Sequence, residues 1–171
     1  MVYSPKRNKK GFVASAALLA IFAVMSASSP TFENYGGIVS AVSLLFLVAS
    51  LFLMIRFCAS KYAYEITSET LVITKITGQR KTNVASLLLI TALGVEKTPK
   101  TNAERAALME KYGKIDAKMN CQTNLFADTY SYVTEFNGAV YEIRIETDET
   151  FAAALQRAVA EARGRSGKND L

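Results

Sequence analysis

Residues 37–57 read GIVSAVSLLFLVASLFLMIRF and decide the architecture of the chain. Only serines interrupt the apolar side chains before Arg56, and a serine hydroxyl can bond back to its own helix in an apolar medium. A second run, GFVASAALLAIFAVMSASS over residues 11–29, carries no charge. As a helix it would be about 28 Å long, close to the roughly 30 Å of a bilayer core. The sequence therefore predicts a transmembrane helical hairpin over residues 11–57, with helices at about 11–29 and 37–57.

Basic residues flank this hairpin at its two outer ends. They are Lys6, Arg7, Lys9, Lys10, Arg56 and Lys61. The loop at residues 30–36 has one acid, Glu33, and no base. Since basic flanks stay in the cytoplasm, we expect a multi-pass protein of the cell membrane with both termini cytoplasmic. The lipid bilayer is then a partner, and these six basic residues are the candidate contacts with its surface.

A cleaved signal peptide is the alternative for residues 1–29. They combine a basic start, an apolar middle and small residues at 26–28, which is the pattern that signal peptidases recognise. Residues 37–57 would still anchor the chain after such a cleavage, with Arg56 and Lys61 on the cytoplasmic side. The location of the following domain is therefore the same under both interpretations.

The remaining composition argues against several function classes. From Cys58 onward the chain has fifteen basic and fourteen acidic residues, so the high pI belongs to the hairpin flanks and no nucleic-acid partner is expected. Histidine is absent, which removes the commonest general base and transition-metal ligand. The two cysteines, Cys58 and Cys121, are expected to be free thiols, with Cys121 buried. We expect no enzyme activity, no catalytic residues, no cofactor and no metal.

Alternating patterns replace the apolar runs after residue 60. They predict strands over residues 61–67 and 70–77, and a strand from 83 that bends near 88–91 and continues through 95. Residues 115–121, 128–136 and 139–147 are also predicted strands. Asn137-Gly138 between the last two is the strongest short hairpin signal in the chain, because both residues tolerate positive φ.

Two helices are predicted among these strands. Residues 101–112 have helical spacing, with Asn102 as a candidate cap and Gly113 as the end. An amphipathic helix over residues 148–163 would begin at Thr147 or Asp148 and end at Gly164. The predicted organisation is a basic N-terminal tail at 1–10, the hairpin at 11–57, a cytoplasmic domain at 58–164 and a flexible tail at 165–171.

Strands followed by one terminal helix indicate a membrane-anchored α+β protein. The segments YAYEITSETLVITKITGQRK (62–81) and KMNCQTNLF (118–126), the Asn-Gly hairpin and the last helix resemble small bacterial membrane proteins with a pleckstrin-homology-like cytoplasmic domain. The resemblance implies a bent antiparallel seven-strand barrel capped by the C-terminal helix. Proteins of this group are largely of unknown function. The helix at 101–112 departs from their simplest pattern.

Three functional hypotheses follow. The first is a membrane-tethered, non-enzymatic interaction module at the cytoplasmic face, with a protein partner at an open sheet edge or beside the last helix. The second is a small oligomeric membrane subunit, associated with a channel or transporter, with a regulatory cytoplasmic domain. Small residues spaced at four motivate self-association, although packing within the hairpin also explains them; the pairs are Ala16 and Ala20, Ala23 and Ala27, and Gly37 and Ala41. The third is an anionic-lipid sensor that uses Arg80, Lys81, Lys97 and Lys100.

Two groups of strand residues have alternative interpretations. Glu142 and Arg144 are predicted to form a polar outer face, although a basic partner for Glu142 also explains it. The strand tyrosines either form a recognition surface or flank the core of the sheet, and the second interpretation is favoured. They are Tyr62, Tyr64, Tyr130, Tyr132 and Tyr141.

Overall fold

The structure, a computed structural model, describes residues 1–31 and 34–169, with side chains through Arg165. Phe32 and Glu33 of the predicted interhelical loop, and residues 170–171 of the predicted tail, lie outside the described residues. The chain forms two compact units. The helical unit contains Arg7–Lys61 and Asn124–Phe126, and the sheet unit contains Met1–Lys6, Tyr62–Thr123 and Ala127–Leu171.

The helical unit is an antiparallel hairpin of two apolar helices. Helix α1 (Lys10–Ser28) continues into a 3₁₀ turn at Ser29–Thr31, and helix α2 (Gly36–Leu53) ends in a π-helical segment at Met54–Ala59. Lys10–Thr31 and Gly36–Ala59 are long and apolar enough to cross a membrane, by length and composition. The two predicted helices are therefore confirmed as helices.

Serines, not alanines, join α1 to α2. Ser15 Oγ donates to the Ser50 carbonyl at 3.0 Å, and Ser50 Oγ donates to the Ser15 carbonyl at 2.9 Å. Ser26 Oγ and Ser43 Oγ are 3.1 Å apart. The predicted packing role of the alanines within the hairpin is wrong, since Ala16, Ala20, Ala23 and Ala27 are all exposed. The residues of a helix that face its partner recur every three or four positions. The four alanines lie at least one residue away from those positions.

Eight strands form two four-stranded sheets in the sheet unit. The first sheet has the order β1-β2-β3-β4, and the second has the order β5-β7-β8-β6. The strands are β1 (Val2–Tyr3), β2 (Ser60–Ile66), β3 (Thr70–Thr77), β4 (Arg80–Leu88), β5 (Ala92–Lys97), β6 (Ala117–Asn120), β7 (Thr129–Phe136) and β8 (Ala139–Glu146). Helix α3 (Asn102–Tyr112) lies between β5 and β6 in the chain, and helix α4 (Glu149–Asn169) follows β8. The fold is α+β: the pairs β1–β2, β3–β4, β5–β7 and β7–β8 are antiparallel, and β6 is parallel to β8.

Two turns of this unit follow the sequence expectation closely. Asn137 and Gly138 have φ of 52° and 76°, so they form the two-residue hairpin turn between β7 and β8 that was predicted. The bend predicted near 88–91 is a 3₁₀ turn at Leu89–Thr91, and it separates β4 from β5. Fully buried Leu89 holds that corner in the core. The apolar run at 83–96 is thus two strands that belong to different sheets.

The first sheet contains one strand that the sequence did not predict. Val2 and Tyr3, within the predicted N-terminal tail, pair with Glu65 and Tyr64 and add β1 to the first sheet. The Tyr3 ring packs against Phe151 at 5.3 Å between centroids, which gives this short strand an apolar contact. The strand predicted at residues 115–121 is observed as Ala117–Asn120, which joins the second sheet as β6.

One apolar core serves both sheets and α4. Its residues are Tyr62, Tyr64, Ile66, Leu71, Ile73, Leu89, Ala92, Val95, Cys121, Tyr132, Ile143, Ile145, Phe151, Leu155, Val159 and Ala162. The Asp148 carboxylate caps α4 by accepting the Phe151 N–H at 2.7 Å, as predicted. The prediction that Gly164 ends this helix is wrong. The helix runs on to Asn169, and Arg163 and Arg165 donate to the carbonyls of Leu93 and Ser68.

Candidate binding groove and the flanks of the helical hairpin

An apolar groove separates two terminal strands of the sheet unit. Strand β4 ends the first sheet and β6 ends the second, and among the described strands neither is paired on its outer side. The cavity between them has a volume of about 470 Å³. It is lined by Ser86, Leu87, Leu88, Thr91, Ala117, Lys118, Met119, Thr134, Phe136, Tyr141, Glu142 and Ile143. This volume falls within the usual range for sites that bind small molecules or side chains.

Apolar side chains of the groove are open to solvent. Leu88 is 50% exposed and Phe136 is more exposed still, while Met119 and Tyr141 are half-buried. Burying apolar surface stabilises a protein by about 25 cal/mol per Å², and the exposed parts of these side chains lack that stabilisation while the groove is empty. A ligand with apolar groups would recover that free energy.

Hydrogen bonds between the two sheets involve residues that line the groove. The Tyr132 hydroxyl of β7 donates to the Leu88 carbonyl of β4 at 3.0 Å. The Thr134 hydroxyl donates to the Thr91 carbonyl at 3.1 Å. Burial raises the pKa of Tyr132, so its hydroxyl stays a proton donor at any physiological pH. The two sheets are therefore joined at Leu88 and Thr91, two residues that line the groove.

Glu142, next to the groove wall, is fully buried in an ionic cluster. Arg105 Nη1 of α3 lies 2.8 Å from Glu142 Oε2, and Arg144 Nε lies 3.2 Å from Oε1. The Ser131 hydroxyl donates to Oε1 at 2.8 Å and lies 3.1 Å from the Thr98 hydroxyl. The predicted polar outer face is therefore wrong for Glu142, because α3 covers it. The alternative, a basic partner, is what the structure shows.

The electrostatic balance keeps Glu142 ionised. Burial by itself raises the pKa of this carboxyl, but the Ser131 hydrogen bond and the charges of Arg144 and Arg105 outweigh it and lower the pKa below its ordinary value. A carboxylate with a lowered pKa is a poor general acid or base near neutrality. The cluster therefore joins α3 to the second sheet rather than offering acid–base chemistry.

A larger cavity, of about 600 Å³, lies between β5 and α3, and two of the lysines that line it form ion pairs. Lys100 Nζ lies 2.7 Å from Asp128 Oδ1, and Lys111 forms an ion pair with Glu96. Thr101 and Glu104 form a capping box at the start of α3, so Thr101 and not the predicted Asn102 is the cap. Lys100, a candidate for anionic lipid, thus has an acidic partner, and this cavity is a weak candidate for binding an anion.

The helical unit brings five of the six basic flank residues to one end of the hairpin. Arg7 donates from Nη2 to the Ser60 carbonyl at 3.1 Å, and the Arg56 guanidinium lies over the Phe57 ring at 5.0 Å. Lys9, Lys10 and Lys61 are exposed beside them. Lys6 is also exposed but belongs to the sheet unit. Across from this cluster, at the turn between the helices, the described residues carry no base.

Other candidates from the sequence lie in the core. Tyr62, Tyr64 and Tyr132 are buried, so they flank the core and do not form a recognition surface. Burial raises the pKa of Tyr64, whose hydroxyl donates to the Cys121 carbonyl at 2.7 Å. Cys121 is buried, as expected, and Cys58 is half-buried.

The sequence did not indicate the groove, and it offered a basic partner for Glu142 only as the alternative interpretation. An open sheet edge was expected, but the groove needs two edges from distant parts of the chain, and only the folded topology shows that they face each other. Among the residues that the structure describes, no group of three acidic or cysteine side chains is placed to hold a metal ion. Comparison of the chain with protein-family models, with curated proteins and with solved structures found no match.

Proposed function

We propose that this chain is a membrane-tethered interaction module. Its helical hairpin spans the cell membrane with both termini in the cytoplasm, and its sheet unit, a pleckstrin-homology-like domain without enzyme activity, binds an extended segment of a partner protein in the groove between β4 and β6. The observation that carries the proposal is the apolar groove bounded by β4 and β6, each the last strand of its sheet in the described part of the chain.

The distribution of polar groups in the hairpin supports a membrane location. Ser15, Ser43 and Ser50 are buried between the helices, while the outward faces carry exposed leucine, isoleucine, valine and phenylalanine. A helix pair in water has the reverse arrangement, with its apolar side chains inside. In a bilayer this arrangement is stable, because lipid solvates the apolar faces and the serines satisfy one another.

The orientation rests on the charge at the two ends of the hairpin. Arg7, Lys9, Lys10, Arg56 and Lys61 lie at the end where the chain leaves for the sheet unit. Basic residues of this kind remain in the cytoplasm and attract anionic lipid, at about 1 kcal/mol for each base near the surface. The sheet unit is then cytoplasmic.

Cysteine labelling of intact cells tests the orientation. In a chain without Cys58 and Cys121, Asn34→Cys should react with a membrane-impermeant thiol reagent, and Thr77→Cys should react only after the cells are opened. Both positions are exposed, so accessibility to solvent is matched; Cys121 would be a poor reporter because it is buried. Labelling of Thr77→Cys in intact cells would contradict the cytoplasmic assignment.

An extended peptide fits the groove better than a compact ligand does. The edges of β4 and β6 present backbone N–H and C=O groups that a third strand can pair with, and alternate side chains of that strand can enter the apolar cavity. Lys118 on β6 adds one charge at the rim. Hence we expect ligands with alternating apolar residues and few bases.

Selection of random peptides displayed on phage tests the binding site. The full chain in lipid nanodiscs should enrich peptides with alternating apolar residues. Leu88→Asp places a charge in the groove and should weaken the selected peptides by about 2 kcal/mol, or about 30-fold in Kd. Ile90→Asp is the matched control, because Ile90 is 46% exposed against 50% for Leu88 but lies outside the groove. Equal loss in both variants, or no enrichment, would argue against the groove.

A further inference from the structure

The loop that follows β6 carries a highly exposed aromatic side chain. Residues 121–128 form no strand or helix, and Phe126 at their turn is 78% exposed. Among the described residues this is the most exposed of the large apolar side chains, above those on the outer faces of the hairpin. An aromatic ring held in water at this exposure loses the gain of burying its large apolar area.

The backbone of Phe126 is also in an unfavourable conformation. Its φ is +57°, in the left-handed region, where a bulky side chain is a genuine outlier and glycine is the usual residue. Conformations of this kind cost of order 1–3 kcal/mol and concentrate at functional sites. A glycine at this position would relieve the strain, so the presence of phenylalanine points to a role for the ring itself.

The neighbours of Phe126 hold the loop against the start of the first apolar helix. The Asn8 N–H donates to Asn124 Oδ1 at 2.6 Å, and Asn8 Oδ1 in turn accepts the Lys10 N–H at 3.0 Å. Asn124 is buried by these contacts. Residues Asn124–Phe126 therefore belong to the helical unit, although the chain on both sides of them belongs to the sheet unit.

Chemistry around the loop matches the boundary of a bilayer. Lys9, Lys10, Arg56 and Lys61 lie at the same end of the hairpin, where a membrane-spanning helix pair would meet anionic headgroups. Apolar Phe12 begins the outward face of α1 within the first turn after Lys10. A ring at the level of the headgroups can bury its apolar face among acyl chains, as interfacial aromatics do.

We propose that Phe126 inserts into the lipid headgroup region and gives the protein a third contact with the membrane, beside its two helices. The occupant of this surface is lipid, and the contact is apolar, with the surrounding bases selecting anionic headgroups. The inference rests on the proposed membrane anchoring of the hairpin.

Single-tryptophan fluorescence tests the insertion, because the chain has no native tryptophan. The full chain carrying Phe126→Trp is reconstituted in vesicles of phosphatidylcholine with a minority of phosphatidylglycerol. We expect a blue-shifted emission that lipids brominated near the headgroup quench and aqueous iodide does not. Phe136→Trp, an aromatic of similar exposure on the sheet unit, should respond to iodide alone.

A third variant separates this inference from the anchoring that it assumes. Leu45 lies exposed in the middle of α2, so Leu45→Trp should be quenched by lipids brominated deep in the acyl chain. If Leu45→Trp is quenched while Phe126→Trp responds to iodide like Phe136→Trp, the insertion of Phe126 is refuted and the anchor stands. If Leu45→Trp is not quenched by lipid, the anchor itself is refuted, and the insertion falls with it.

Discussion

The buried cluster around Glu142 gives a prediction whose size follows from the contacts. Removing one partner of a buried ion pair costs about 3–5 kcal/mol when the other charge stays buried. Here the two arginines are 19% and 33% exposed, so they can recover some hydration after Glu142→Ala. We therefore expect Glu142→Ala to destabilise the sheet unit by about 3 kcal/mol. Arg105→Ala leaves the carboxylate with Arg144 and Ser131, and about 2 kcal/mol is expected.

A double-mutant cycle measures the coupling directly. Urea unfolding of the full chain in detergent micelles, followed by the near-UV circular dichroism of the buried tyrosines, gives the free energy of each variant. Once Glu142 is gone, Arg105 has no buried charge to neutralise. The double variant should then cost at least about 1 kcal/mol less than the sum of the single variants. Glu135→Ala on the neighbouring strand is the control, since Glu135 is exposed and should change stability by less than about 0.5 kcal/mol.

The same cluster predicts a dependence on pH. The pKa of Glu142 is lowered in the folded state relative to its ordinary value, so the folded protein holds this proton less tightly than the unfolded chain does. Its stabilising contribution is complete above the unfolded pKa and is lost as pH falls through the folded pKa. The stability difference between the parent and Glu142→Gln should therefore be largest near neutral pH and should shrink in acid. Additive single variants, or a difference that grows in acid, would refute the assignment of Glu142 as an ionised, paired carboxylate.

Three further substitutions test local features of the fold. Gly11→Val should weaken the helical hairpin, because a Cβ at Gly11 would lie 2.8 Å from the Phe57 Cβ; crosslinking between cysteines placed on the two helices would report the loss. Asn137→Val should destabilise the sheet unit by about 1–2 kcal/mol, because a β-branched residue must adopt φ of 52°, whereas Asn137→Gly should be nearly neutral in the same urea titration. Asp148→Ala should cost about 1 kcal/mol by removing the cap of α4, and Glu149→Ala, which leaves the cap in place, is its control.

Local signals in the sequence predicted the elements that local chemistry decides. The Asn137-Gly138 turn is set by two residues that tolerate positive φ, and the hairpin forms where it was expected. The bend near 88–91 was predicted within an ambiguous apolar run, and a 3₁₀ turn is found there. The helix end at Gly164 was wrong for a tertiary reason. Hydrogen bonds from Arg163 and Arg165 to other elements hold the helix beyond the glycine, and no local pattern shows them.

The candidate site is formed by residues that are distant in the sequence, so local sequence patterns could not predict it. Glu142 alternates with Tyr141 and Ile143 as an outward residue should, and the strand pattern alone makes it exposed. Its burial follows from the placement of α3, whose Arg105 lies 37 positions earlier in the chain. In the hairpin, the spacing of alanines predicted that one face of α1 packs against α2. The face that contacts α2 is instead the one that carries the hydrogen-bonded serine Ser15.

The insertion between β5 and β7 explains why the groove has a second edge. This segment contributes α3, the helix that departs from the pattern that the resemblance implied, and β6, which was predicted as a strand. Asp116 opens β6 by exchanging bonds with Val140: its N–H donates to the Val140 carbonyl, and its carboxylate accepts the Val140 N–H, both at 2.9 Å.

Four residues of β6 are few for a strand, and a parallel pairing is slightly less stable per residue than an antiparallel one. The preceding helix, α3, adds stabilising contacts to this part of the sheet. Its Leu108 is buried, and its Arg105 is bound to Glu142 of β8, the strand with which β6 pairs. Breaking the Arg105–Glu142 pair should therefore loosen β6 before it unfolds the rest of the sheet unit. Hydrogen exchange of Arg105→Ala would show this as faster exchange at Lys118–Asn120 with the β7–β8 hairpin unchanged. If amide exchange became faster to the same degree across the whole sheet unit, the insertion would not stabilise the groove independently of the rest of that unit.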